Sequence, residues 1–299
     1  MARINGIHGI AQQFRGPNSL REVWFPALTD GLIVSGQRDI AAKLDVDDLA
    51  VSFYGDLFRP KAALGAEYPP YKPKDLSSPD EREFLEALYD SASAEDPELL
   101  PPEGALGPGR DAVKKIGEYP PVQVMIERVL RSKTFAGAIP QRAFIGDLKQ
   151  VIRFLTDEEV KGKVLARVDE EMSEETTVVI GHSLGSVVAY EYLCMYRPKS
   201  VKAFITLGSP LGIRNIVYDR LTPRPTQNGG AWPGTEAVVW TNVCDPHDIV
   251  AMRKDLAPLF PRADGGEVSD LRVDNGGEPH GIGPYLTAAE TGGAIAAGL

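Results

Sequence analysis

The chain has 299 residues, enough for one large α/β domain with insertions or for two small domains, and ample for a buried core. Its formal net charge of −10 argues against nucleic acid and anionic membrane surfaces as partners. The two cysteines, Cys194 in an expected helix and Cys244 at an expected strand end, read as free buried thiols rather than a disulfide framework. The start lacks the basic region and long apolar stretch of a signal peptide, and no apolar run is long enough to span a bilayer, so the sequence reads as soluble and cytoplasmic.

In chain order, Ala2 to Ile10 form the first expected strand, ending in His8-Gly9, and Phe14 to Gly16 continue as a turn-rich loop. A glycine after such a strand lets the backbone bend, so that the next N–H, that of Ile10, points across the top of a sheet as an oxyanion donor. His8 itself is expected to pack and hydrogen-bond rather than to act as a base. Glu22 to Leu32 place Val23, Trp24, Phe25, Leu28 and Leu32 on a helix-like apolar face despite Pro26. Leu49 to Tyr54 form the next strand. Asp45, Asp47 and Asp48 before it lack the regular ligand spacing and central glycine of a cation loop, and no metal is assigned.

Residues 1–56 thus read as the first part of a sheet-based core. From 57 to 143 the composition changes, with half of the chain's 24 prolines there, in clusters such as Tyr68-Pro-Pro-Tyr-Lys-Pro73 and Leu100-Pro-Pro102. That density excludes a regular βαβ crossover for most of the segment, which reads as an insertion. Ser78-Pro79 starts a helix through Phe84, Leu85, Leu88 and Tyr89, with serine as cap and proline in the first turn. A second helix runs from Pro121 through Met125, Ile126, Val129 and Leu130. Two amphipathic helices on proline-rich tethers between sheet strands suit a lid over an active site, because insertions at strand ends sit beside the ligand crevice.

Residues 144–299 return to the core pattern. Phe144 to Leu155 and Glu158 to Met172 are expected helices leading into Thr176-Thr-Val-Val-Ile-Gly-His-Ser-Leu-Gly-Ser-Val-Val-Ala-Tyr190. Thr176 to Ile180 have the β-branched character of a buried parallel strand, and Ser186 to Leu193 continue as a mostly apolar helix. Between them stands Gly181-His182-Ser183-Leu184-Gly185. The bare Gly-x-Ser-x-Gly pattern is weak, but a strand turning straight into a helix at Ser183 is the context that gives it meaning. Such a turn strains the serine backbone, and it holds the hydroxyl out at the positive end of a helix, where the Leu184 N–H can hold an oxyanion.

Val201 to Leu207 and Ala237 to Val243 are further strands. The first ends in Gly208-Ser-Pro-Leu-Gly212 and the second is followed by Asp245-Pro-His-Asp-Ile-Val-Ala251. The Pro- and Gly-rich loop 222–234 is expected to border the site. Parallel strands separated by helices give a doubly wound, mostly parallel α/β sheet.

A serine becomes a nucleophile only when a base takes its proton, and that base needs a carboxylate. Of four histidines, His8 lies in the oxyanion loop, His182 is expected to turn away from Ser183, and His247 belongs to the loop of the candidate acids. His280, in a Gly-rich loop between an expected strand Asp270 to Asp274 and a terminal helix, is left as the base. Asp245 and Asp248 both lie just beyond a strand, within a loop's reach of His280, and Asp274 is a third choice.

His8-Gly9, Gly181-His-Ser-Leu-Gly185, Thr206-Leu-Gly-Ser-Pro210, Asn242 to Asp248-Ile-Val and His280 together resemble the α/β-hydrolase superfamily, particularly its lipase-like and esterase-like branches. The resemblance covers most of the chain outside the insertion. It implies Ser183 as nucleophile, Asp248 as acid with Asp245 as the alternative, His280 as base, and Ile10 and Leu184 as oxyanion donors. It also implies a small-molecule or lipid-like acyl substrate, with no cofactor and no metal. The oxyanion loop departs from the family in lacking the consecutive glycines of some esterases. An ester is the expected substrate. The same residues would serve a thioesterase, peptidase or acyltransferase, and a non-catalytic binding module on a hydrolase scaffold is the alternative from another class.

Overall fold

The computed structural model describes residues 1–59, 68–97, 119–135, 139–262 and 264–299. Six short runs pair side by side, all parallel: β1 (Ile4–Ile7), β2 (Leu49–Ser52), β3 (Val178–His182), β4 (Ala203–Leu207), β5 (Val239–Cys244) and β6 (Ser269–Arg272). The sheet order is β2-β1-β3-β4-β5-β6. Register follows the apolar runs, with Ile4 opposite both Leu49 and Val178, and Ile180 opposite Ile205.

Side chains alternate between two cores. On one face Ile4, Val178, Ile180, Ile205 and Leu207 pack with α1 (Pro17–Val34), α8 (Ile282–Thr287) and α9 (Ala289–Gly298). On the other, Ile7, Val179, Phe204 and Trp240 meet α5 (Gln141–Thr156), α6 (Glu158–Glu171) and α7 (Leu184–Tyr196). Burial on both faces is what near-continuous apolar strands require. The edge strand β6 is instead Ser-Asp-Leu-Arg, and its Asp270 accepts from Asn242 Nδ2 at 2.8 Å and from the Leu256 and Ala257 N–H groups at 2.9 Å each.

Several boundaries move from the sequence reading. Helix α1 begins at Pro17 rather than Glu22, because proline fits a first helical turn, and the short α2 (Arg38–Ala41) follows it. The first strand is Ile4–Ile7 rather than Ala2 to Ile10, and the serine strand runs two residues beyond Ile180, to His182.

Between β2 and β3 lie α3 (Pro79–Glu95) and α4 (Val122–Arg131), followed by α5 and α6. Ser78 caps α3: its Oγ accepts from Glu81 N–H at 3.1 Å, and Glu81 Oε2 accepts from Ser78 N–H at 3.1 Å. The cluster Leu100-Pro-Pro102 lies outside the described residues, and the expected boundary at 143 falls inside α5. Helix α3 packs on α4 and α5. Thr134, beyond α4, reaches the loop after β5: its Oγ1 donates to the His247 carbonyl at 2.9 Å and accepts from Ile249 N–H at 3.0 Å. Among the described residues, no helix is long and apolar enough to cross a membrane.

Candidate active site

Strand β3 ends at His182 and α7 begins at Leu184, so a single residue, Ser183, makes the turn, with φ 54° and ψ −129°. Its surroundings over-determine this left-handed backbone. Ser183 N–H donates to the Leu207 carbonyl at 3.0 Å, and the Ser183 carbonyl accepts from Ser186 N–H at 2.9 Å and Ser186 Oγ at 2.6 Å. A Cβ on Gly185 would run into the carbonyl oxygens of Ile7 and His8, so the helix starts against β1 at a distance that only glycine permits. Ser183 is 4 % exposed.

Asp248 lies beyond β5 and His280 beyond β6, and His280 Nδ1 is 2.7 Å from Asp248 Oδ2. Nδ1–H donates to the carboxylate, which leaves Nε2 as the basic nitrogen. Asp248 is fully buried, and all its remaining contacts are donors. Tyr285 Oη donates to Oδ2 at 2.8 Å, and the Val250 and Ala251 N–H groups approach Oδ1 at 2.9 and 3.4 Å. Burial pushes the carboxyl up, but the neighbouring His280 outweighs it, with help from Lys254 and Tyr285, so the group sits below the usual aspartate range. Gly208, at φ +53°, lies under this pair: a Cβ there would stand 2.6 Å from Asp248 Oδ2 and 3.0 Å from His280 Nδ1.

Asp245 has a different set of partners. Its Oδ1 accepts from His247 N–H at 2.7 Å and its Oδ2 from Asn275 N–H at 2.6 Å, which ties the β5 loop to the loop after β6. Tyr285 Oη joins the two aspartates, accepting from Asp245 N–H at 2.9 Å while donating to Asp248. His247, at the surface of the same loop, is 3.5 Å from Glu95.

His8 is buried and neutral. Its Nε2 accepts from Tyr54 N–H at 3.2 Å, so Nδ1 carries the proton and donates to the Gly9 carbonyl at 2.6 Å; burial pushes its pKa down to about 4. His182 contributes to the wall of the same cavity as Ser183, and its side-chain Nε2 bonds the His280 carbonyl at 3.0 Å. Burial and the nearby His280 push it down to about 3. Neither ring is poised to take a proton at neutral pH.

Ser183, His280, Ile10 and Leu184 share the wall of a cavity of about 340 Å³. The Leu184 N–H is the first of α7 and has no intrahelical acceptor, and the Ile10 N–H has none among the described residues. Phe84 and Leu88 of α3, Phe135, and Phe144, Leu148 and Val151 of α5 supply much of the apolar lining. Loop 222–234, expected to border the site, does not line the cavity. It is drawn instead to the core side of α7, where Tyr190 Oη donates to the Ala231 carbonyl at 2.8 Å. Among the described residues, no cluster of three or more His, Cys, Asp or Glu side chains is placed to hold a metal.

No protein-family model, curated protein or solved structure matches the chain. The site therefore has to be read from its own geometry. Three residues that it uses carried no assigned role in the sequence reading. Tyr285 and Gly208 reach Asp248 only through the fold, and no local pattern marks them. Asp147 did leave a signal: it stands on the apolar stripe Phe144, Leu148 and Val151, where a charge is out of place.

Proposed function

We propose that the chain is a serine hydrolase of the α/β-hydrolase type that cleaves carboxylic esters through an acyl-enzyme on Ser183. The observation that carries this reading is the 2.7 Å contact between His280 and a fully buried Asp248, with His280 and the strained Ser183 on one cavity wall. The sheet supports it. Strand order reverses between β1 and β3, and ligands of open α/β sheets bind at the carboxyl ends of the strands at such a reversal. Gly9-Ile10 and Ser183 follow the carboxyl ends of these two strands.

In the proposed reaction His280 Nε2 takes the Ser183 proton as Oγ attacks the acyl carbonyl. Asp248 holds the ring in the required tautomer and stabilises its charged form. The Ile10 and Leu184 N–H groups receive the tetrahedral oxyanion, and His280 returns the proton to the leaving alcohol. Water activated by the same nitrogen then releases the acid. The described part of the 57–143 insertion acts as a lid in this reading, because α3 and Phe135 contribute apolar side chains to the cavity.

The test is labelling with a fluorophosphonate probe, together with turnover of a series of acyl esters. The expected result is stoichiometric labelling at Ser183 and loss of both labelling and turnover in Ser183→Ala. A folded protein that neither labels nor hydrolyses any ester of the series overturns the proposal in favour of a binding module.

A further inference from the structure

The apolar cavity contains one acidic side chain among its described lining residues, Asp147 on α5, which is only 5 % exposed. Its Oδ1 is occupied, accepting from Tyr68 Oη at 2.7 Å and from Gln150 Nε2 at 3.3 Å. Its Oδ2 takes no hydrogen bond from any described residue and is not sealed off by protein atoms, so it is open to a group in the cavity. A second acceptor lining the same cavity is unmatched: Gln12, on the loop after β1, donates through Nε2 to the Ile10 carbonyl at 3.2 Å, while its buried Oε1 has no partner among the described residues. A buried acceptor without a donor, as Gln12 Oε1 is, is costly, and native proteins keep one where a water or ligand supplies the donor.

We infer that Asp147 and Gln12 form a polar subsite that receives a hydroxyl group carried on the otherwise apolar acyl chain of the substrate. This inference rests on the reading of the cavity as the acyl pocket of an ester hydrolase. A hydroxyl fits better than an ammonium group. A buried ion pair must overcome the desolvation of both charges, and the one charged side chain on the wall besides Asp147 and the histidines is the cationic Arg15. Burial pushes the Asp147 carboxyl up to about 7, against the Tyr68 hydrogen bond that pulls it down. A hydroxyl satisfies that group in either state, donating to the carboxylate or accepting from the acid.

The probes are octanoate, its monohydroxy isomers with the hydroxyl moved along the chain, and their methyl ethers, titrated calorimetrically into the intact protein and into Asp147→Leu. We expect one isomer to bind the wild type about ten-fold more tightly than octanoate, as a hydrogen bond to a charged group allows. Its methyl ether loses that advantage, and Asp147→Leu reverses the order in favour of octanoate. The inference is overturned if no isomer outcompetes octanoate, or if the methyl ether retains the advantage. Both arms use the wild type and stand even if the variant does not fold. Persistence of the preference in folded Asp147→Leu overturns it as well. Binding requires no turnover, so failure here with intact fluorophosphonate labelling of Ser183 removes only the hydroxyl subsite, and the preference without labelling removes only the hydrolase reading.

Discussion

The two sides of the cavity are built on different terms. On the strand-end side, short loops after β1, β3, β5 and β6 carry Ile10, Ser183, Asp248 and His280, with Asp248 held by backbone N–H groups and the buried Tyr285 hydroxyl and His280 held by Asp248. On the inserted side, α3 and Phe135 offer mainly apolar surface, which α5 extends, and the exception is Asp147. The strand-end side holds the Asp248–His280 pair and the Ile10 and Leu184 N–H groups beside Ser183, whereas the inserted side is apolar apart from Asp147. Substitutions on the first side should therefore act on rate, and those on the second on the choice of ligand.

The largest expected effect separates the two aspartates. Asp248→Asn should keep the fold but lower kcat on an acyl ester by about 10⁴-fold, because the amide leaves His280 in the wrong tautomer. Asp245→Asn turns an amide toward the His247 or Asn275 N–H group. It should cost roughly 1–3 kcal/mol of stability and leave kcat within about ten-fold. Ester kinetics with thermal melts on both variants check this, and the reverse ranking would make Asp245 the acid.

Next comes Gly9→Ala. Its added methyl would stand 2.8 Å from Ser183 Cβ and 3.3 Å from Oγ, so loop or nucleophile must give way. Displacement of a reacting atom by about 1 Å costs about 100-fold, and kcat should fall on that scale with little change in melting temperature. Phe144→Leu belongs to the opposite wall. Removing part of a ring that packs edge-on to Phe135 at 5.6 Å should leave kcat on the best substrate nearly unchanged. The preferred acyl chain should lengthen by one or two carbons, each worth roughly 1–3 kcal/mol of discrimination, read from a chain-length series. A fall in kcat at every length would place α5 on the rate-setting side.

The same division governs what could be read from sequence. Strands and elbow were legible because local chemistry dictates them: the β-branched run before Gly181 makes a buried strand, and the glycines permit the close crossing of α7 over β1. The parallel sheet followed from strands separated by helices. The distinction between Asp245 and Asp248 was not readable from local pattern, since both follow β5 and both are buried. What separates them is a histidine 32 residues downstream of Asp248 and the N–H groups of a different loop. The partner of His182 in space, the His280 carbonyl, was unreadable for a related reason: sequence alone gave only its neighbour Ser183.

The smallest expected effect concerns His8 and appears in stability rather than rate. Folding holds this ring neutral between Tyr54 N–H and the Gly9 carbonyl, with its pKa down to about 4 from an unfolded value near 6.5. Below pH 6.5 the unfolded chain takes a proton that the folded chain refuses, so stability contributed by the neutral ring is complete above that pH and is lost as pH falls toward 4. The slope from this one residue approaches about 1.4 kcal/mol per pH unit. His8→Gln, which retains a donor and an acceptor, should be less stable than wild type at pH 7. The gap should narrow steadily in denaturant titrations taken down to pH 4.5, because the glutamine cannot be protonated. Parallel stability curves for the two proteins would mean that the folded ring binds a proton as readily as the unfolded one, and the strand-end side would then hold a proton-accepting group besides His280.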